Sequence, residues 1–148
     1  MGDVQTELNP GYLLKRVQHA LRRRCDIALR PTGVSMAQYA VLRALADHPN
    51  ASAAELARLC FVTRQSLQDL LSGLRAASLV DDAGGARTGR ARALRVTAEG
   101  QRRLDAADDA VMQVNSMMLH SLSRSAQADL ADLLLHCANN LESASTPG

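Results

Sequence analysis

Residues 52–77 read SAAELARLCFVTRQSLQDLLSGLRAA, and two helix starts lie inside them. Ser52 followed three residues later by Glu55 is a capping box, so a short helix over 52–59 is predicted, with Leu56, Ala57 and Leu59 turned inward. After Cys60, Phe61 and Val62, Thr63 has a hydroxyl suited to capping a second helix over 63–77. Leu67, Leu70, Leu71 and Leu74 recur there at helical spacing and form its buried stripe. Two helices joined by so short a turn are a helix-turn-helix pair. Upstream, Ser35-Met36-Ala37-Gln38 is another capping box, opening a helix with Val41, Leu42 and Leu45 on its apolar face that ends near Asp47-His48-Pro49. Downstream the pattern changes. Residues 78–81 read as a short strand and 91–96 as its returning partner. The tip between them, 83–90, carries Gly84, Gly85 and Gly89, which tolerate the positive φ of a hairpin turn. Three compact helices followed by a β-hairpin describe a winged helix-turn-helix lobe over 35–100.

Longer helices flank this lobe. Asn9-Pro10 is a helix start, and Leu14, Val17, Leu21, Cys25 and Ala28 continue it until Arg30-Pro31-Thr32-Gly33 stops it. Thr97 caps a helix to about Ser121, with Leu104, Ala107, Val111, Val114, Met118 and Leu122 on one face. A last helix starts at Ser123 or Ser125, and Leu130, Leu133, Leu134, Cys137 and Leu141 are its inward stripe. The fold expected is mainly α with a small β-hairpin (α+β). Residues 1–34 and 101–148 would form a helical dimerisation region, since these outer stripes have too little partner surface within one chain.

The 148 residues suit one domain, and 47% hydrophobic content with a net charge of +2 excludes general disorder. Trp is absent and Phe61 is the one phenylalanine, which argues against a β-sandwich or barrel. No apolar run approaches a membrane span, and the start MGDVQTE lacks a basic region followed by an apolar stretch, so a cytoplasmic protein is expected. Cys25, Cys60 and Cys137 are odd in number and far apart, as for reduced thiols. The histidines have no metal-type spacing. No phosphate loop or nucleophile–base pair is present, so neither a cofactor nor an enzyme is implied.

Charge is distributed unevenly. Residues 52–95 hold seven arginines against four acids, whereas 101–148 hold three arginines against six. On the helix over 63–77 the inward leucines leave Arg64, Gln65, Ser66 and Gln68 facing out near its start, with Thr63 at the cap. Arg pairs bidentately with guanine, Gln with adenine, and Ser with either or with phosphate. Arg87, Arg90 and Arg92 beside the glycine-rich tip are what a wing needs to enter a minor groove or clamp phosphates. Double-stranded DNA is the partner this arrangement points to.

The chain resembles the MarR family of dimeric winged-helix regulators over nearly its whole length. The resemblance rests on Ser35-Met-Ala-Gln-Tyr-Ala-Val-Leu42, Ser52-Ala-Ala-Glu-Leu-Ala57, Val62-Thr-Arg-Gln-Ser-Leu67, Leu74-Arg-Ala-Ala-Ser-Leu-Val80, and Arg90 followed by Val96-Thr-Ala-Glu-Gly100. It implies a homodimer on a pseudo-palindromic operator, acting as a repressor released by a small aromatic or phenolic effector. Arg16, His19 and Tyr39 are the residues expected to hold that effector. The sequence departs from the family pattern in three places. Thr88 stands where an acid often steadies the wing arginine. Ser78 replaces a usual glycine, and Asp81 and Asp82 occupy positions where a basic residue is common and where they would oppose phosphates. Two other readings are open. Cys25, next to Arg24 and within reach of Arg22, is a candidate redox switch through a lowered thiol pKa. The aspartates motivate a dimeric sensor that acts on protein partners without DNA.

Overall fold

The computed structural model describes residues 6–82 and 94–144. A 3₁₀ turn (Thr6–Leu8) leads into α1 (Pro10–Leu29), followed by a second 3₁₀ turn (Arg30–Thr32), α2 (Met36–Asp47), α3 (Ala53–Leu59) and α4 (Arg64–Ala76). Strands β1 (Val80–Asp82) and β2 (Leu94–Val96) then pair, and α5 (Ala98–Met118) and α6 (Arg124–Ser143) complete the chain.

The caps read from sequence are made. Asn9 accepts a hydrogen bond from the Gly11 amide at 2.9 Å, with Pro10 in the first turn. Both capping boxes close reciprocally: Ser35 with Gln38, and Ser52 with Glu55. Thr63 accepts from the Ser66 amide at 3.1 Å, and Ser123 accepts from the Ala126 amide, which resolves the start of α6 in favour of Ser123. Such caps satisfy amides that the helix itself leaves without partners. Thr97 caps α5 through the Gly100 amide, and its hydroxyl donates to the Ser78 carbonyl at 2.7 Å, tying the end of the hairpin to the end of α4.

Two turns have left-handed backbone at non-glycine residues. After α3, the Phe61 amide donates to the Arg58 carbonyl and the Val62 amide to the Ala57 carbonyl, with Phe61 at φ +55°. After α4, Ser78 donates to Arg75 and Leu79 to Leu74, with Ser78 at φ +60°. Both are Schellman closures, in which the left-handed position normally holds glycine. Ser78 is the reason β1 starts at Val80 and not at 78: the first two expected strand residues are used to reverse the chain. Helix α5 ends at Met118, three residues short of the expected 121; residues 119–121 form a turn in which Ser121 is left-handed.

By its internal contacts the chain divides into two compact units, 1–114 and 115–148. In the first, one core gathers Val41, Leu42 and Leu45 of α2, Leu56 and Ala57 of α3, and Leu67, Leu71 and Leu74 of α4. It also takes in Leu29 of α1, Leu79 and Val80 beside the hairpin, and Leu104 and Ala107 of α5. Burying each leucine contributes roughly 1.5–3 kcal/mol, so this core locks α4 in place. Leu70, expected on the buried stripe, is only half-buried. The hairpin is antiparallel, with Val80 opposite Val96, Asp81 opposite Arg95 and Asp82 opposite Leu94. Gly100 is in van der Waals contact with it: a Cβ there would overlap the Leu79 carbonyl oxygen.

The second unit differs. No residue of α6 is buried, and Leu133, Leu134, Leu135 and Leu141 are exposed. Of the stripe expected to lie inward, Leu130 is half-buried, and Leu133, Leu134, Cys137 and Leu141 are exposed among the described residues, in keeping with the expected shortage of partner surface within one chain. Leu14 and Val17 on α1 are likewise exposed.

Candidate nucleic-acid interface and effector crevice

Helix α4 is fixed by its buried leucines, so the orientation of its other face follows. Arg64, Gln65, Ser66 and Gln68 are all exposed on its first two turns. Their hydrogen bonds divide them into two roles. Thr63 uses its hydroxyl for the cap, accepting from the Ser66 amide and donating to the Ser66 hydroxyl at 3.0 Å. Gln65 is steadied by a 3.2 Å hydrogen bond from its amide to Asp69. Arg64 and Gln68 make no hydrogen bond or ion pair among the described residues. The helix therefore presents a guanidinium and two carboxamides, with the capping pair holding its start.

At the base of the hairpin the aspartates are not bare. The Arg95 guanidinium donates to both oxygens of Asp81, at 2.9 and 3.0 Å, across the strand pair. This holds the Asp81 carboxyl below its usual range. Asp82 lies 3.8 Å from the Arg75 guanidinium. The sequence reading set these acids against phosphate and counted Arg95 with the basic segment. The structure pairs them, so their charges largely cancel at short range. Arg87, Thr88, Arg90 and Arg92 lie outside the described residues.

A hollow of about 460 Å³ opens between α1, α2 and the α3–α4 turn. Leu21, Met36, Ala37, Ala40 and Val62 supply apolar walls; Gln18, Arg22, Cys60 and Phe61 complete it. None of the three expected effector residues lines it. Arg16 and His19 are exposed on α1. The Tyr39 hydroxyl donates to Asp108 of α5 at 2.8 Å, and Arg43 donates to the other Asp108 oxygen at 2.7 Å while also gripping Asp47. Burial and the Asp108 carboxylate push the Tyr39 phenol up to about 12. Tyr39 is thus a link between helices, and the cation facing the hollow is Arg22, on a different side of α1 from Arg16.

The sequence model of the MarR family matches residues 32–91. The HTH-type transcriptional repressor Rv2887 of Mycobacterium tuberculosis is 32% identical over 124 residues, covering 84% of this chain and 89% of its own. The chain belongs to the MarR family. Among solved structures, the Mycobacterium tuberculosis MarR family protein Rv2887 in complex with salicylic acid is 31% identical, with a TM-score of 0.72, covering 87% of this chain and 96% of that one. The same protein in complex with DNA gives a TM-score of 0.72 at 29% identity, covering 87% and 97%.

In this MarR chain Cys25 and Cys60 sit where burial disfavours the thiolate. Cys25 is 1% exposed, and burial followed by the neighbouring Asp26 raises its thiol pKa above the ordinary value. The expected lowering by Arg22 and Arg24 is overturned, because desolvation disfavours the thiolate and both arginines are exposed. Burial raises the Cys60 thiol as well. Cys137, expected to be inward, is exposed. Two features escaped the sequence reading of this MarR chain. Gly100 is needed for close packing on Leu79, a role invisible without the fold. Arg22 gave a signal as one of three consecutive arginines, but only the position of α2 selects it.

Proposed function

We propose that this protein is a homodimeric, cytoplasmic, sequence-specific DNA-binding repressor, acting by binding and not by catalysis, and released from DNA by a small aromatic acid. The observation that carries the reading is the first turn of α4, where exposed Arg64, Gln65 and Gln68 project from a helix anchored by Leu67, Leu71 and Leu74. A helix of this kind reads base edges in the major groove through its N-terminal residues. Arg87, Arg90 and Arg92 are assigned to the adjoining wing on their sequence position. The 32% identical relative bears the name of a repressor, and its structures include complexes with DNA and with salicylic acid.

Dimerisation is supported by α6, a 20-residue helix with no buried residue. A helix that leaves Leu133, Leu134, Leu135 and Leu141 exposed is not stable in isolation, and a second copy offers the complementary face. The effector site assigned is the hollow over Arg22. Its apolar walls suit an aromatic ring, and the guanidinium suits a carboxylate. The dimer rests on Leu133 and Leu141: replacing both with Glu should shift sedimentation from dimer to monomer and abolish binding to a two-half-site duplex.

The decisive experiment for DNA reading is titration of a pseudo-palindromic promoter duplex against a scrambled one. Arg64→Ala should lose roughly 1–3 kcal/mol on the cognate site and relax base preference. Arg87→Ala should weaken both duplexes alike and flatten the salt dependence. Unchanged binding in both variants would show that the contacts are misassigned.

A further inference from the structure

Phe61 is the most exposed large apolar side chain among the described residues, at 91%. It is also a bulky aromatic in left-handed backbone, at φ +55°, in a position where glycine closes the turn without strain. Phe61 belongs neither to the core nor to the partly buried residues packed against it. What it does adjoin is the hollow, which Phe61 lines together with Cys60, Val62, Leu21, Met36 and Arg22. Strained, solvent-exposed aromatic residues at the edge of a cavity are candidates for contact with what fills it. Two positions later Thr63 caps α4 through the Ser66 amide. The turn that borders the hollow is therefore the turn that sets the start of the recognition helix.

We infer that Phe61 is the aromatic contact for the effector, and that its closure over a bound aromatic carboxylate carries occupancy of the hollow to the Thr63 cap. This rests on the effector reading proposed above. The carboxylate binds the Arg22 guanidinium, and the ring offers its edge or face to Phe61, as aromatic pairs prefer. The amides of Phe61 and Val62 are hydrogen-bonded back to Arg58 and Ala57 of α3, so a backbone shift at Phe61 is taken up on the other side, through Val62 to Thr63. The cap moves with it. Ligand affinity and DNA affinity become coupled within one protomer, and by linkage each changes the other by the same factor.

The test uses the full-length protein and salicylate as the probe. Salicylate affinity is measured by calorimetry, and operator affinity by fluorescence anisotropy with and without saturating salicylate, for wild type, Phe61→Gly and Phe61→Tyr. In Phe61→Gly, salicylate affinity should fall about tenfold and the salicylate-dependent loss of operator affinity should shrink to less than twofold. Its melting temperature should rise, since glycine relieves the left-handed residue, which separates lost coupling from misfolding. Phe61→Tyr should restore both affinity and coupling. A Phe61→Gly protein that binds salicylate and releases operator like wild type would overturn this inference alone. A Phe61→Gly dimer that dissociates in sedimentation would also overturn it, by placing the ring at the subunit interface. Wild-type protein indifferent to salicylate would instead overturn the effector reading beneath it.

Discussion

Tyr39 and Asp108 are 69 positions apart, yet the phenol of α2 donates to the carboxylate of α5 at 2.8 Å. The same carboxylate accepts from Arg43 one turn further along α2. One acidic side chain on α5 thus ties down two residues of the helix that supports the reading lobe.

The neutral phenol is the hydrogen-bonded form, and its pKa rises from 10.0 to about 12 in the fold. The sign follows from linkage. Stability from this shift is fully present below about pH 10, where the phenol is neutral in both states. It is lost as pH climbs toward 12, because the unfolded chain ionises first. Tyr39→Phe should lower stability at neutral pH by about 1 kcal/mol, within the usual range for one hydrogen bond. It should also remove this part of the alkaline loss. Urea unfolding at neutral pH and between pH 10 and 12, on wild type and variant, measures both. In a Tyr12→Phe background the phenolate absorbance should report Tyr39 titrating late.

How much of this was legible beforehand depends on the range of the interaction. Ser52 with Glu55, Ser35 with Gln38, and Thr63 at its cap act within one turn, so the letters alone placed α2, α3 and α4. The exposed face of α4 followed from the leucine spacing. The Tyr39 link to Asp108 was not foreseen, because its partner lies 69 residues away on a helix whose angle no local pattern specifies. That Arg22 and not Arg16 lines the hollow was not legible for the same reason, since no local pattern says which side of α1 faces α2. The leucines of α6 were recognised as a stripe with too little partner surface within one chain, and Leu133, Leu134 and Leu141 are exposed in the fold.

Gly100 tests the packing of α5 on the hairpin. A methyl group there meets the Leu79 carbonyl oxygen and lies 2.9 Å from the Val96 Cγ1. Leu79 cannot yield easily, since its carbonyl also accepts from the Thr97 amide at 3.0 Å. Gly100→Ala should therefore cost about 2–3 kcal/mol, the upper part of the range for overpacking. Chemical denaturation checks this, and a cost near zero would mean that α5 slides freely over the hairpin base.

Ser78 predicts the opposite sign. Its left-handed φ of +60° closes α4, and its carbonyl accepts from the Thr97 hydroxyl through backbone alone. Glycine preserves every one of these hydrogen bonds and removes the Cβ clash, so Ser78→Gly should raise stability by about 0.5–1 kcal/mol. Thermal unfolding should show the midpoint moving up. A decrease would mean that the greater freedom of glycine in the unfolded chain outweighs the strain relieved.

The pairing of Asp81 with Arg95 bears on DNA affinity more than on stability, because both groups are solvent-exposed and such pairs hold little folding energy. Asp81→Asn removes one negative charge and leaves the Arg95 guanidinium without its carboxylate. If the hairpin base lies beside the duplex, that guanidinium becomes available to a phosphate and displaces one more counterion. Affinity for random duplex at low salt should then rise. The plot of log affinity against log salt should steepen by about 0.9, the value for one added phosphate contact. Specificity should fall, since the added contact is blind to sequence. An unchanged slope would place Arg95 beyond reach of the backbone, and leave Arg87, Arg90 and Arg92 as the only arginines of the hairpin segment available to meet it.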